Sequence, residues 1–116
     1  MRLCDELLDI DDAIRFVAHL DPCMKLLEMK MRPGVKSLTN EHTDEEFFSL
    51  IEPIVLGACG KLEDGFGKLK TIRVKYENAS VAFLRIPDAI VGISVEPGPL
   101  TPLIDKIGRR FKVKLT

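Results

Sequence analysis

Residues 70–95 read KTIRVKYENASVAFLRIPDAIVGISV, and this stretch decides the fold. Ile72, Val74 and Tyr76 alternate with Thr71, Arg73, Lys75 and Glu77, the period-two pattern of a strand with an apolar face turned in and a polar face turned out. Asn78-Ala79 turns the chain. Residues 81–86 (VAFLRI) and 90–95 (IVGISV) then read as two more strands, separated by Pro87-Asp88. The last is apolar or small almost throughout, as a central strand covered on both faces requires. Three strands with short connections predict a meander.

The rest of the chain fits around it. In residues 14–20 (IRFVAHL), alternation places Ile14, Phe16, Ala18 and Leu20 on one face of a strand. After the turn Asp21-Pro22, residues 25–31 put Leu27, Met29 and Met31 on one face of a hairpin partner, which Arg32-Pro33-Gly34 ends. Leu3, Leu7 and Ile10 recur at helical spacing ahead of the acidic turn Asp11-Asp12. Thr43-Asp44-Glu45-Glu46 fits a capping box, with acids suited to the positive end of the helix dipole. Phe47, Leu50, Ile51, Ile54, Val55 and Ala58 continue that helix. Pro53 removes one bond from its ladder and kinks it, Gly57 and Gly60 weaken it, and residues 64–67 (DGFG) read as loop. After Pro97-Gly98-Pro99, Thr101 is placed as N-cap and Pro102 at the first helical position, with Leu103, Ile104, Ile107 and Phe111 as the buried stripe. The expected order is α-β-β-α-β-β-β-α. That is an α+β fold, a five-stranded mostly antiparallel sheet with helices packed on it, in a single domain over residues 1–116.

Composition excludes several roles. A net charge of -1 leaves no positive field to attract nucleic acid, and 6% aromatics without Trp offers little for base stacking. No run approaches the roughly 18 apolar residues of a membrane helix, and acids precede any long apolar run at the start, so no membrane insertion and a cytoplasmic location are expected. Cys4, Cys23 and Cys59 are widely spaced and read as small hydrophobes of a reducing compartment. Asn78-Ala79-Ser80 is read as a turn and not as a glycosylation site.

Chemical motifs fail one by one. Gly60-Lys61 lacks the other phosphate-loop positions, which hold Val55 and Leu62; Gly65-Phe66-Gly67 lacks the third glycine of a dinucleotide fingerprint, where Lys70 stands. Residues 9–12 (DIDD) cannot open a calcium loop whose glycine and final glutamate positions hold Ile14 and Leu20. His19 and Cys23, with Cys4, His42 or Cys59, have no close paired spacing for a metal, and Cys59 has only His19 and His42 to choose from as a base. The chain therefore reads as non-enzymatic, with no cofactor and no metal. The basic end formed by Arg109, Arg110, Lys112 and Lys114 is a solvated helix end or a contact for an acidic partner surface.

Two observations favour binding over chemistry. Phe47 and Phe48 are adjacent, so one helix face cannot bury both against a single sheet. One ring, with Ile51 or Val55, is expected to stay open as a contact surface. Separately, Met24, Met29 and Met31 could line an adaptable cavity, which gives the alternative of a PAS-like small-molecule sensor.

The order of elements, carried by residues 14–20 with 27–31, 43–58 and 70–95 and by the step PGPLTPLI at 97–104 into the last helix, resembles the roadblock/dynein light chain superfamily, with its profilin-like or longin-like layout. The resemblance spans nearly the whole chain. It implies a non-enzymatic dimerisation or scaffold module, possible partners being a second copy, a small GTPase or another protein. Such domains pair through the second helix and the third strand. Carried onto this sequence, the interface candidates are Phe47, Phe48, Ile51 and Val55 with Ile72, Arg73, Val74, Lys75 and Tyr76. The charged outer face of Thr71, Arg73, Lys75 and Glu77 keeps the opposite reading open, since alternating charge on an edge strand discourages pairing.

Overall fold

In a computed structural model, which describes residues 2–116 apart from the side chain of Glu41, the elements are α1 (Leu3–Leu8), β1 (Ile14–Leu20), β2 (Leu26–Met31), α2 (Glu41–Glu52), α3 (Glu63–Phe66), β3 (Thr71–Lys75), β4 (Ser80–Ile86), β5 (Ala89–Val95) and α4 (Leu100–Phe111). The five strands form one antiparallel sheet in the order β2-β1-β5-β4-β3. As the apolar run at 90–95 predicts, β5 is the middle strand and is buried along nearly its whole length. The chain divides into two compact units, one running up to Val35 and again from Lys70 onward, the other from Lys36 to Leu69.

In the first unit α1 and α4 cover one face of the sheet. Cys4 and Leu7 from α1 and Ile104 and Ile107 from α4 share a core with Ile14, Val17, Leu84 and Val91. The pairing Ile14↔Val95 is followed by Phe16↔Ser94, so Arg15 is an extra residue and β1 carries a bulge. The bulge corrects the expected alternation. Ile14 and Val17 enter the α1/α4 core, whereas Phe16, Ala18 and Leu20 belong to the opposite face. On that face Gly92 leaves room for Phe83, whose ring would stand 3.1 Å from a Cβ there.

Strand β3 is shorter than the alternation suggests, and Tyr76, expected to point in, lies beyond it and is 56% exposed. Helix α4 begins one residue before Thr101, and the Thr101 hydroxyl accepts a hydrogen bond from Arg73 Nη1 at 2.7 Å. At its other end Lys112 adopts a left-handed conformation (φ 57°), and the Val113 N–H donates to the Gly108 carbonyl at 2.9 Å. The chain folds back and seats Leu115 in the core. A Cβ on Gly108 would lie 2.5 Å from the Val113 carbonyl oxygen, so only glycine fits there.

The second unit departs most from expectation. Asn40, not Thr43, caps α2: its side chain accepts from the Thr43 N–H at 2.8 Å, and its extended backbone suits that position. The α-helix ends at Glu52. Pro53 lacks the N–H that would continue the ladder, and residues 53–59 widen into π-helical turns, followed by a short 3₁₀ turn at Gly60–Leu62. Of residues 64–67, expected as loop, the first three belong to the one-turn α3 (Glu63–Phe66). Gly67 at φ 87° stops it, and the Leu69 N–H donates to the Glu63 carboxylate at 2.7 Å.

Arg32 is the polar fastener of the first unit. Its Nη2 donates to the carbonyls of Leu8 (2.5 Å) and Asp11 (2.8 Å), and its Nε donates to that of Ile14 (2.7 Å). One guanidinium thereby closes the open carbonyl end of α1 and the entry to β1. Arg32→Met is expected to lower stability by roughly 2–3 kcal/mol because it strands these carbonyls, and Arg32→Lys to recover only part of that, both read from urea midpoints.

Ion pairs surround α1. Arg2 pairs with Glu28 and Lys30 with Asp5, while Arg110 reaches Glu6 at 3.0 Å and Lys106 reaches Asp11 at 3.1 Å. The hydrogen bond from Lys30 holds the Asp5 carboxyl below its usual range, and that from Arg2 does the same to Glu28. For Asp11 the cause is first the Ala13 N–H and then Lys106. A carboxylate depressed on folding adds stability above its unfolded pKa, about 4, and loses it as pH falls through the folded value. The urea midpoint is expected to hold between pH 7 and 5 and to drop below about pH 4, by less in about 1 M salt because the groups are exposed and screened.

Candidate functional site

Successive helix residues point about 100° apart, so the pairs Leu50-Ile51 and Ile54-Val55 divide between two faces. Ile51 and Val55 are buried, whereas Leu50 is 65% and Ile54 49% exposed. Phe47 and Phe48 meet edge to face, with ring centroids 5.8 Å apart, and both are half-buried. Of the candidates taken from this segment, then, the phenylalanines are partly accessible and Ile51 and Val55 are not. The exposed apolar stripe runs through their neighbours, Leu50 and Ile54. Leu38, Leu56, Leu62 and Phe66 are also exposed in this unit.

The remaining candidates lie on β3 or, for Tyr76, just beyond it, at one edge of the sheet in the other unit. Ile72 and Val74 are half-buried, and Arg73, Lys75 and Tyr76 are exposed. The hydrogen-bonded pairs Lys70–Arg85 and Tyr76–Ala79 set the phase of the β3–β4 ladder. Thr71, Arg73 and Lys75 therefore turn their backbone groups to the open edge. The other edge, β2, exposes Leu26, Leu27 and Met29. The sequence offers Met29 and Met31 for a cavity and not this edge as a contact, because the alternation of 27, 29 and 31 reads as an ordinary half-buried strand.

Groups capable of chemistry do not gather. Among the described residues no three His, Cys, Asp or Glu side chains are placed to hold a metal ion, and no buried side-chain nitrogen or oxygen lacks a partner. His42 Nε2 lies 3.0 Å from Glu46 on the exposed surface of α2, and His19 is half-buried on β1. Burial pushes the Cys4 thiol up to about 12. Of the three methionines considered for a cavity, Met24 is buried in the β1–β2 turn, whereas Met29 is 41% exposed at the edge. Among the described residues no helix is long and apolar enough to cross a membrane. The molecule thus presents apolar surface and open strand edges.

No protein-family model and no curated protein matches the chain by sequence. Solved structures do match by fold. A Roadblock/LC7 domain from Streptomyces avermitilis superposes with a TM-score of 0.64 at 9% identity, over 95% of this chain and 89% of that one. The fold is of the roadblock/LC7 type. MglB from Myxococcus xanthus matches with a TM-score of 0.63 at 14% identity, over 94% and 85% of the two chains. A structure described as MglB with tetrameric arrangement gives 0.65 at 16%, over 91% and 77%. The roadblock/LC7-like order of helices and strands is the one read from the sequence, and these matches do not favour a PAS-like sensor.

The thiols offer a check on the assigned burial. Cys23 is exposed, Cys59 half-buried and Cys4 fully buried. An aromatic disulfide reagent at pH 8 is expected to modify Cys23 and Cys59 promptly in the folded chain and Cys4 far more slowly, with prompt reaction of Cys4 only in denaturant. Prompt reaction of Cys4 in the native protein would contradict the placement of α1.

Proposed function

We propose that this roadblock-like chain is a non-enzymatic dimerisation or scaffold module that pairs with a second copy and, as a pair, docks a protein partner, with a small GTPase as the foremost class. One observation carries the reading: Leu50 and Ile54 are exposed beside the buried Ile51 and Val55, so the helix has one more apolar face than its own chain covers. The contacts proposed are that stripe with Phe47 and Phe48 and, separately, the open β3 edge with the residues from Ile72 to Tyr76. Ile51 and Val55 support the stripe from beneath. The GTPase rests on the roadblock resemblance, and the solved MglB and Roadblock/LC7 structures support it through the fold they share with this chain.

The test is association in solution. Sedimentation of the wild type at micromolar concentration is expected to give the mass of two chains. The double variant Leu50→Asp/Ile54→Asp, with an unchanged circular dichroism spectrum, is expected to weaken pairing by at least a hundredfold, since each buried aliphatic side chain contributes roughly 1.5–3 kcal/mol. A wild type that stays single, or a double variant that pairs as well as the wild type, refutes the proposed interface. Binding of a small-GTPase candidate is expected to fall in parallel with pairing.

A further inference from the structure

Strand β2 ends the sheet at the edge opposite β3. The Arg32 N–H donates to the Arg15 carbonyl at 2.8 Å, and the same register pairs Val17 with Lys30 and His19 with Glu28. In an antiparallel ladder alternate residues bond to the neighbouring strand, and those between them turn N–H and C=O the other way. Glu28, Lys30 and Arg32 therefore bond to β1, and Met29 and Met31 direct their backbone groups to the open edge. Leu27 is the extra residue of a bulge, since His19 pairs with Glu28 and Leu20 with Leu26. Leu27 is 53% and Met29 41% exposed.

The residues along this edge, Leu27-Glu28-Met29-Lys30-Met31, read apolar, acidic, apolar, basic, apolar, and are chemically complementary to their own reverse. We propose that β2 is a self-pairing edge, at which two copies of the chain join antiparallel about a twofold axis at Met29. In that register Met29 faces Met29, and Leu27 faces Met31 of the second copy. Glu28 faces Lys30 of the second copy, and Lys30 faces its Glu28. These two charged pairs fall at the positions without mutual hydrogen bonds, where side chains on opposing strands approach most closely.

Within each chain Glu28 already pairs with Arg2, and Lys30 with Asp5. Association joins these pairs into two rows of alternating charge, each running Arg2, Glu28, then Lys30 and Asp5 of the second copy. The register is also unique: an axis at Glu28 sets the two Glu28 carboxylates opposite each other, and one at Lys30 does the same to the two ammonium groups. The β3 edge has no such complementarity, since its exposed charges, Arg73 and Lys75, have the same sign. This contact goes beyond the proposed function, because it uses the opposite edge of the sheet and none of the residues named there.

Charge exchange tests it, in the Leu50→Asp/Ile54→Asp background so that the two contacts are read apart. That chain is expected to pair still at roughly 100 μM, as a small edge contact allows. Glu28→Lys alone sets lysines opposite each other, and Lys30→Glu alone sets glutamates opposite each other. Each is expected to weaken pairing about tenfold or more, and an equal mixture of the two to restore it. Met29→Pro removes the central outward N–H but leaves the ladder to β1 intact, and is expected to abolish pairing with the fold unchanged by circular dichroism. A background chain that stays single at that concentration overturns the β2 contact while leaving the helix-face contact standing. Pairing that survives Met29→Pro, or a charge-reversed mixture that stays single, overturns it as well.

Discussion

The guanidinium of Arg32 holds three segments that the hydrophobic effect alone cannot register. Packing drives Leu7, Leu8 and Ile14 inward, but it is non-directional and tolerates a slide by one residue. The three carbonyl oxygens of Leu8, Asp11 and Ile14 are fixed in space, and a planar donor fork meets them in only one arrangement. That arrangement sets where α1 stops and where β1 begins, and so which β1 residue becomes the bulge. With Arg15 as the extra residue, Ile14 and Val17 share one core and Ala18 and Leu20 fall to the other side of the sheet. The strands beside β1 inherit this phase, including the outward turn of Met29 and Met31.

Much of the fold was legible because its strands are short, alternating and set off by turn residues. The meander from residue 70 to 95 carries its own punctuation, and Pro87-Asp88 marks the hairpin at which Asp88 takes a positive φ of 64°. The bulge was hidden, because Ile14, Phe16, Ala18 and Leu20 alternate perfectly in sequence and only pairing with Val95 and Ser94 breaks the count. The N-cap of α2 was misplaced for a related reason: Thr43 and Glu46 make a plausible capping box, but the Asn40 side chain caps better and starts the helix sooner. Proline inside the apolar pattern signalled a break. That the break spreads into π-helical turns depends on how the following carbonyls find donors, which spacing does not reveal.

The candidate surface was legible in kind more than in detail. Adjacent phenylalanines signalled a helix with surplus apolar faces, and the structure shows such a surplus at Leu50 and Ile54, one residue away from Ile51 and Val55. A shift of one residue turns a helix face by about 100°, so a stripe chosen by periodicity alone is easily exchanged for its neighbour when both are aliphatic. The β2 edge escaped notice because a strand's place in the sheet order is a matter of topology. Nothing in residues 26–31 says that one side of the ladder stays open.

Helix α1 has six residues, too few to persist by its own hydrogen bonds. Its presence reports that the leucines beneath it and the charges around it are holding. Cys4 sits on the covered side of this helix with its sulfur wholly shielded. The thiol is thus a built-in clock for the lifting of α1: the rate at which a reagent captures it counts how often the amino-terminal turn of the molecule parts from the sheet while the rest remains folded.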